Sequence, residues 1–586
     1  MTRLVASIRA AKGIWGPSSV VQRTPRSTMM TSTTTRCYSR SFRQELEADP
    51  LAKFKYQYPL AKEPPEIKQT QALDVSDKVD DGSSPAKKPA GAEDRYDRSG
   101  ISDFEIEQIR KQQETLLSKN VSSMITPGDT VPPGVPGNLP SSQLTTPITE
   151  LTQLDNGIRV VSQELSSSGL SSTLGIVSAV GSRFEKHPSQ RGATNVLQLL
   201  SFGTPTPSYP DPISFLMDLG GAAHICDTAR EQSIHCIDLL RPHVDEAFPL
   251  LREVLLEPQW VDDFVEQAKK TLEYQAEDAP PEAILGEAMQ LAAFGSDQQL
   301  GQSHMYLEDN PELTASVVQD FWQSRFVNNP KELVVSCAGI EHDHLVQLTK
   351  DHFGHLQQVA SDNSSAKQAS EYLGGQVILD RMAPDGLVRV GLGFKVGGWH
   401  SEELVTVCVL QTLLGGGSSF SAGGPGKGMY SRLYRQILNR YGWAESSEAF
   451  AAFYDELGVF GLSGSTAPKR ANDMLRVFAE HLVKLAVEPV TDEELNRAKN
   501  MLRGNVLTQL ESRFVLFEDM GRQVLTYGHR EQVLQTCAKI DAVTKADIKD
   551  VVMRAISKTS PTCAVVGGEL ADGTISSYDE ICRWFS

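Results

Sequence analysis

From Ile148 to the C-terminus, apolar and polar positions fall into strand-like and helix-like segments, and the same order of segments is met twice. Gly169-Leu170 leads into an alternating apolar run that ends at Val180-Gly181, and Gly386-Leu387 leads into one that ends at Val396-Gly397. A spacing of two predicts a strand in each case. Helical apolar patterns follow, over Thr194–Phe202 in the first copy and Leu404–Leu414 in the second. Farther along, Leu251, Pro258, Ala268-Lys269 and Leu272 are echoed by Leu482, Pro489, Ala498-Lys499 and Leu502. Leu333-Val-Val-Ser-Cys337-Ala338 is echoed in the same way by Ser560-Pro-Thr-Cys563-Ala564-Val-Val566. A unit of roughly 220 residues therefore occurs twice, and the repeat governs the fold assignment.

Each copy mixes strands and helices, and strands that return after a helix favour layered α+β packing over a doubly wound parallel sheet. The expected fold class is α+β, with two homologous α/β-sandwich halves of roughly 220 residues joined by a linker. The halves are placed at 148–356 and 377–586, with the polar stretch Gln357–Gln376, rich in Ser, Asn and Ala, between them. Residues 39–147 lack apolar periodicity and carry breakers such as Pro64-Pro65, Asp81-Gly82 and Pro132-Pro133-Gly134. They read as a mostly disordered extension with one helix at Ser102–Lys119.

The first residues have a different chemistry. Arg3, Arg9, Lys12, Arg23, Arg26, Arg36, Arg40 and Arg43 precede the first acid, Glu45, among many Ser and Thr. Leu4–Lys12 can form a short helix with an apolar and a basic side, and the stretch has the composition of a mitochondrial transit peptide rather than a secretory signal. Arg36-Cys37-Tyr38-Ser39 resembles a matrix-presequence cut site, so residues 1–38 are expected to be removed between Tyr38 and Ser39. The expected compartment is the mitochondrial matrix.

Composition narrows the classes further. A chain of 586 residues is too long for one domain, and 40% hydrophobic with 22% charged residues is an ordinary globular mixture. With no run of about 18 uninterrupted apolar residues, no transmembrane helix is expected. The net charge is −18, and losing the six basic residues of 1–38 takes it to −24. Such a chain is a poor nucleic-acid binder and a plausible receptor for cationic partners. Eight scattered cysteines form no C-x-x-C pair, which excludes a cysteine zinc ribbon and fits a reducing compartment.

One segment is a candidate for chemistry. Gly415 to Gly428 holds seven glycines, at 415, 416, 417, 423, 424, 426 and 428, and runs on into Met429-Tyr-Ser-Arg-Leu-Tyr434. Such a segment has little side-chain bulk and much accessible backbone to offer an extended peptide. It is not a phosphate loop, because Lys427 is followed by Gly428 and Ser421 stands where the first glycine belongs. The candidate contacts are Gly415, Gly416, Gly417, Ser418, Ser419, Phe420, Gly423, Gly424, Gly426, Lys427 and Gly428. Strong helical patterns close to both sides favour a functional loop over a flexible linker. Histidines 243, 342, 344, 352 and 355 are read as surface or core residues, since no H-x-x-E-H or H-E-x-x-H occurs.

The bilobed repeat, the basic leader and the glycine segment together resemble noncatalytic members of the pitrilysin/insulinase-like zinc peptidase superfamily over about residues 148–586. In active members, H-x-x-E-H on a first-half helix supplies two zinc ligands and a glutamate that activates water. The matching segment here runs from Gly192 to Phe202 and puts Asn195 and Leu199 at the ligand positions and Gln198 at the base. Leucine has no donor atom, and an amide has no basic pair at neutral pH. A downstream acidic ligand around Glu266 binds nothing tightly alone. The resemblance thus implies a chain with no peptidase activity of its own, no metal and no cofactor. It further implies a zinc-bearing beta subunit as partner in a heterodimer, the pair enclosing a cavity in which arginine-rich presequences bind extended. Two rivals share the repeat: a core structural subunit of the respiratory cytochrome bc1 complex, and an autonomous zinc peptidase, which positions 195, 198 and 199 disfavour.

Overall fold

The computed structural model describes residues 148–165, 171–359, 369–418, 429–570 and 573–586. The leader with its Tyr38/Ser39 cut, the extension with its 102–119 helix, and residues 360–368 of the linker lie outside the described residues.

Two six-stranded sheets carry the fold. The first contains β1 (Thr149–Gln153), β2 (Arg159–Gln163), β3 (Ser171–Ser178), β4 (Ala222–Thr228), β5 (Ser233–Leu240) and β6 (Leu333–Ala338), in the order β1-β2-β6-β3-β5-β4. The second contains β7 (Gly375–Leu379), β8 (Val388–Gly397), β9 (Gly416–Ser418), β10 (Ala444–Phe453), β11 (Leu457–Thr466) and β12 (Thr562–Val566), in the order β7-β12-β8-β11-β10-β9. Five strands match one for one, β2-β6-β3-β5-β4 with β7-β12-β8-β11-β10. The pairs β2/β6 and β7/β12 are parallel and the remaining ladders antiparallel. Even the register repeats: Leu174 faces Cys337 across β3/β6, and Leu392 faces Cys563 across β8/β12. The α+β reading and the two-halves architecture hold.

Both faces of each sheet are apolar, so each sheet has to be covered twice. One face of the first sheet, with Leu174, Ile176, Ile237 and Val335, shares a core with its own half's helices Ala193–Gly203, Val244–Leu256, Ala315–Trp322 and His342–Phe353. The other face, with Val161, Val177, Ile234 and Val334, is covered by Leu516, Phe517, Met520 and Val524 of helix Arg513–Tyr527, which belongs to the second half. Sheet two has the mirror arrangement. Its own helices Leu404–Leu414, Ala471–Val487 and Lys545–Lys558 cover Val390, Leu392 and Cys563 on one side. Helix Pro281–Phe294 of the first half supplies Ile284, Leu285, Ala288 and Met289 against Ala564 and Val566 on the other. These two helices occupy equivalent places in the repeat, each following the helix that carries the Ala-Lys pair, so the halves exchange one helix apiece.

Close approach at both exchanged contacts needs a missing side chain. A Cβ on Gly521 would lie 2.4 Å from Cγ2 of Val177, and a Cβ on Gly391 would lie 2.7 Å from Sδ of Met289. In one contact the glycine is on the helix, and in the other it is on the strand. Polar ties reinforce the exchange: buried Ser336 Oγ donates to the Phe517 carbonyl at 2.9 Å, and Arg159 Nη1 donates to the Val524 carbonyl at 2.6 Å. A buried ionic junction also joins the halves. Arg183, 1% exposed in its side chain, contacts both Glu231 and Glu456, while Glu231 accepts from the Asp455 amide and Glu456 from that of Ser370. Despite its desolvation, the bonds from Arg183 and the Ser370 amide hold the Glu456 carboxyl down at about 2.

Gly521→Leu is expected to lower stability by about 1 to 3 kcal/mol through overpacking against Val177. Gly504→Ala, at an exposed helical glycine with nothing within 4 Å of its new Cβ, is expected to raise it by about 0.5 to 1 kcal/mol. Thermal unfolding of the two variants beside the parent checks both signs.

Candidate functional site

The first-half segment around 195 is an α-helix over Ala193–Gly203. It starts at Gly192, whose φ of 89° and contact with Tyr306 exclude a side chain, since a Cβ there would lie 2.4 Å from the ring. Its first turn is held by a buried carboxylate: Glu185 accepts from the amides of Gly192 at 2.9 Å and Thr194 at 2.8 Å. Burial outweighs those two hydrogen bonds and raises the Glu185 carboxyl from 4.5 to about 7. Farther along, Gln198 Oε1 accepts from Thr228 Oγ1 at 3.0 Å, tying the helix to β4. Ser201 Oγ contacts His235 Nε2 at 3.0 Å, and burial lowers this imidazole to about 4, so it is neutral at any physiological pH. Leu199 packs against the apolar core.

Zinc does not fit this helix. Asn195 and Gln198 are amides, Leu199 presents carbon, and the candidate acid Glu266 accepts from the buried ammonium of Lys269 at 2.7 Å. Among the described residues no three His, Cys, Asp or Glu side chains converge as a metal site would require. Three of the other histidines have structural partners: His342 contacts Thr152 Oγ1 at 2.7 Å and Ser162 Oγ at 2.8 Å, His344 contacts Asp245 at 2.7 Å, and His243 meets Glu246 at 3.5 Å. The His352 ring lies 5.4 Å from that of Phe248.

The glycine segment begins where helix Leu404–Leu414 ends. Gly415 terminates that helix at φ 55°, and Gly416 and Gly417, at φ 112° and 152°, continue with Ser418 as β9 on the edge of the second sheet. A Cβ on Gly416 would fall 2.0 Å from the Ser447 carbonyl oxygen, so the close pairing with β10 requires glycine there. Residues 419–428, including Ser419, Phe420, Gly423, Gly424, Gly426, Lys427 and Gly428, lie outside the described residues. The chain is described again at Met429 and Tyr430, which are exposed. Ser431 then turns back, its Oγ accepting the Gly416 amide at 3.1 Å. Beside it, Arg432 pairs with Glu494 of helix Asp492–Gln509.

Comparison with known proteins decides the family. A model described as "Insulinase (Peptidase family M16)" matches residues 159–306, and one described as "Peptidase M16 inactive domain" matches 312–502. A curated alpha subunit of mitochondrial-processing peptidase from Solanum tuberosum is 32% identical, covering 80% of this chain and 91% of its own. The chain belongs to the insulinase (peptidase M16) family. The Homo sapiens alpha subunit of the same name is 30% identical over 74% of this chain and 84% of its own. A chain in a solved structure, Complex III2 from Candida albicans, shares the fold with a TM-score of 0.61 at 18% identity, over 74% of this chain and 99% of that one. This M16 member thus carries a domain of the inactive M16 type and is related to processing-peptidase alpha subunits.

The helix under the degenerate motif and the start of the glycine segment were legible in the sequence. Glu185, the Ser201–His235 contact and the Arg432–Glu494 pair were not, since their partners lie 7 to 62 residues away with no motif to link them.

Glu185 gives a pH signature with a definite sign. Between pH 4.5 and about 7 the unfolded chain has released a proton that folded Glu185 retains, so stability falls as pH rises through that window and levels off above it. The decline amounts to roughly 3 kcal/mol. Glu185→Gln is expected to flatten it, as read from urea unfolding at a series of pH values.

Proposed function

We propose that this chain is the noncatalytic, substrate-recognition subunit of a mitochondrial processing peptidase. In this reading it binds arginine-rich presequences of imported precursors in the matrix and presents them to a zinc-bearing beta subunit, with which it forms a heterodimer. The observation that carries the proposal is the helix Ala193–Gly203, where Asn195, Gln198 and Leu199 stand in a relative of processing-peptidase alpha subunits and supply no metal ligand set. A chain of this kind adds binding rather than bond-breaking chemistry.

Two features support presequence binding. The net charge of −18 attracts cationic peptides at long range and raises their local concentration. The segment Gly415–Gly428 begins as a strand on a sheet edge and is rich in glycine, so it suits an extended peptide whose sequence varies from precursor to precursor. The contacts assigned to it are those at 415–420, 423, 424 and 426–428. Zinc belongs to the partner, and this chain carries no cofactor. The alternative, a core subunit of the cytochrome bc1 complex, draws on the likeness to Complex III2, which is one of fold alone at 18% identity.

Three measurements test the reading. The full chain purified alone is expected to hold no stoichiometric zinc by elemental analysis and to leave a presequence peptide uncut. Recovered from mitochondria, it is expected to bring down a soluble partner bearing H-x-x-E-H; recovery with membrane-bound bc1 components would favour the alternative. In the reconstituted heterodimer, deleting residues 419–424 outside β9 is expected to weaken presequence-peptide affinity about tenfold while leaving dimer and zinc intact. Unchanged affinity and turnover would reduce the segment to a linker.

A further inference from the structure

The described ends of the glycine segment are tied to each other and to one helix. On entry, Gly415 and Gly416 are wedged: a Cβ on Gly415 would lie 2.5 Å from Cβ of Ser431, and one on Gly416 would strike β10. On exit, Ser431 Oγ takes the Gly416 amide, which cross-links the two ends. Immediately after it, the Arg432 guanidinium meets the Glu494 carboxylate as a fork, Nε to Oε1 at 3.2 Å and Nη2 to Oε2 at 2.8 Å. The two side chains are only 10% and 17% exposed. Glu494 is itself fixed, because its carboxylate accepts from the amide and hydroxyl of Thr491 in the capping box that starts helix Asp492–Gln509. One turn on, Arg497 Nη1 donates to the Tyr430 carbonyl at 2.8 Å. The same helix packs against Leu404–Leu414, whose C-terminus is the entry.

Stability alone does not call for this arrangement. A buried ion pair is often matched or bettered by apolar residues of equal volume, whereas a two-bond fork fixes direction as well as distance. The repeat offers an internal control. In the first half the corresponding connection, 204–211, has no glycine and is held by the single carboxylate Glu253, which accepts from Thr206 Oγ1 and the Ser208 amide. Among the described residues, the guanidinium fork at this place is found only in the half that carries the glycine segment.

We propose that Arg432 and Glu494 are positioning residues for presequence binding, setting the direction in which the ends of the glycine segment present their backbone to the peptide. The inference rests on the reading of that segment as the presequence-binding element. An extended peptide is held through directional hydrogen bonds, so a tilt of the anchor costs affinity without touching the chemistry in the partner subunit.

The test uses the full chain reconstituted with a zinc-bearing beta subunit and an arginine-rich presequence peptide. Arg432→Lys keeps the charge and loses the fork; the double variant Arg432→Met with Glu494→Met removes both charges without leaving either unpaired. The expected result is a KM raised several-fold in Arg432→Lys and about tenfold in the double variant, with kcat within about twofold of the parent and heterodimer formation unchanged. A parental KM in Arg432→Lys overturns the proposal, whether or not the double variant folds. A fall in kcat at unchanged KM overturns it too, since that places the effect on catalysis. The 419–424 deletion separates the two levels: if it raises KM and the anchor variants do not, the positioning role fails alone; if it does nothing, the reading beneath it fails as well.

Discussion

Neither sheet can bury its second face with the helices of its own half. Val161, Val177, Ile234 and Val334 on one sheet and Ala564 and Val566 on the other need cover from outside, and each receives it from a helix of the other repeat. Because uncovered apolar area of that size is strongly unfavourable in water, the two halves of roughly 220 residues are expected to fold as one cooperative body. The glycines at 521 and 391 let helix and sheet approach to ordinary packing distance, and the Arg183, Glu231 and Glu456 junction adds an ionic tie between the halves. An internal duplication need not keep its copies independent, and here it does not.

With the framework fixed in this way, the halves diverge at equivalent places. After β3, the first half's helix turns its polar groups inward: Glu185 holds its first turn, Gln198 takes Thr228, and Ser201 meets His235. Groups committed to buried hydrogen bonds are poorly available to a metal or a water nucleophile. After β8, the equivalent helix is almost wholly apolar and buried, and the variation lies beyond its end, where three glycines with positive φ carry the chain onto the sheet edge. In a chain 30 to 32% identical to processing-peptidase alpha subunits, the first half thus has amides and a leucine at 195, 198 and 199, and the second half has the glycine segment.

Much of this was open to reading along the chain. The alternating runs 170–180 and 387–396 became β3 and β8, the helix over Leu404–Leu414 begins and ends as its pattern implied, and the Cys337 and Cys563 runs became the equivalent strands β6 and β12. These features repeat at short period, and short periods survive in one dimension. The presence of amides and a leucine at 195, 198 and 199 is equally a matter of composition at a spacing, visible without coordinates.

What the chain order could not carry is everything that depends on which surfaces meet. Helices Pro281–Phe294 and Arg513–Tyr527 have no sequence mark to say that each covers the other's sheet, because an apolar stripe specifies that a face is buried and not against what. Nothing along the chain marks Glu185, whose burial raises its carboxyl to about 7, and Arg432 gains a partner 62 residues away only when its segment meets helix Asp492–Gln509. Sequence by itself determined the repeat, the element types and the residue chemistry at 195, 198 and 199, since periodicity and residue chemistry are local. Tertiary structure decided the exchange, the buried charges and the anchoring of the glycine segment, since desolvation and hydrogen-bond geometry exist only between residues that folding brings together.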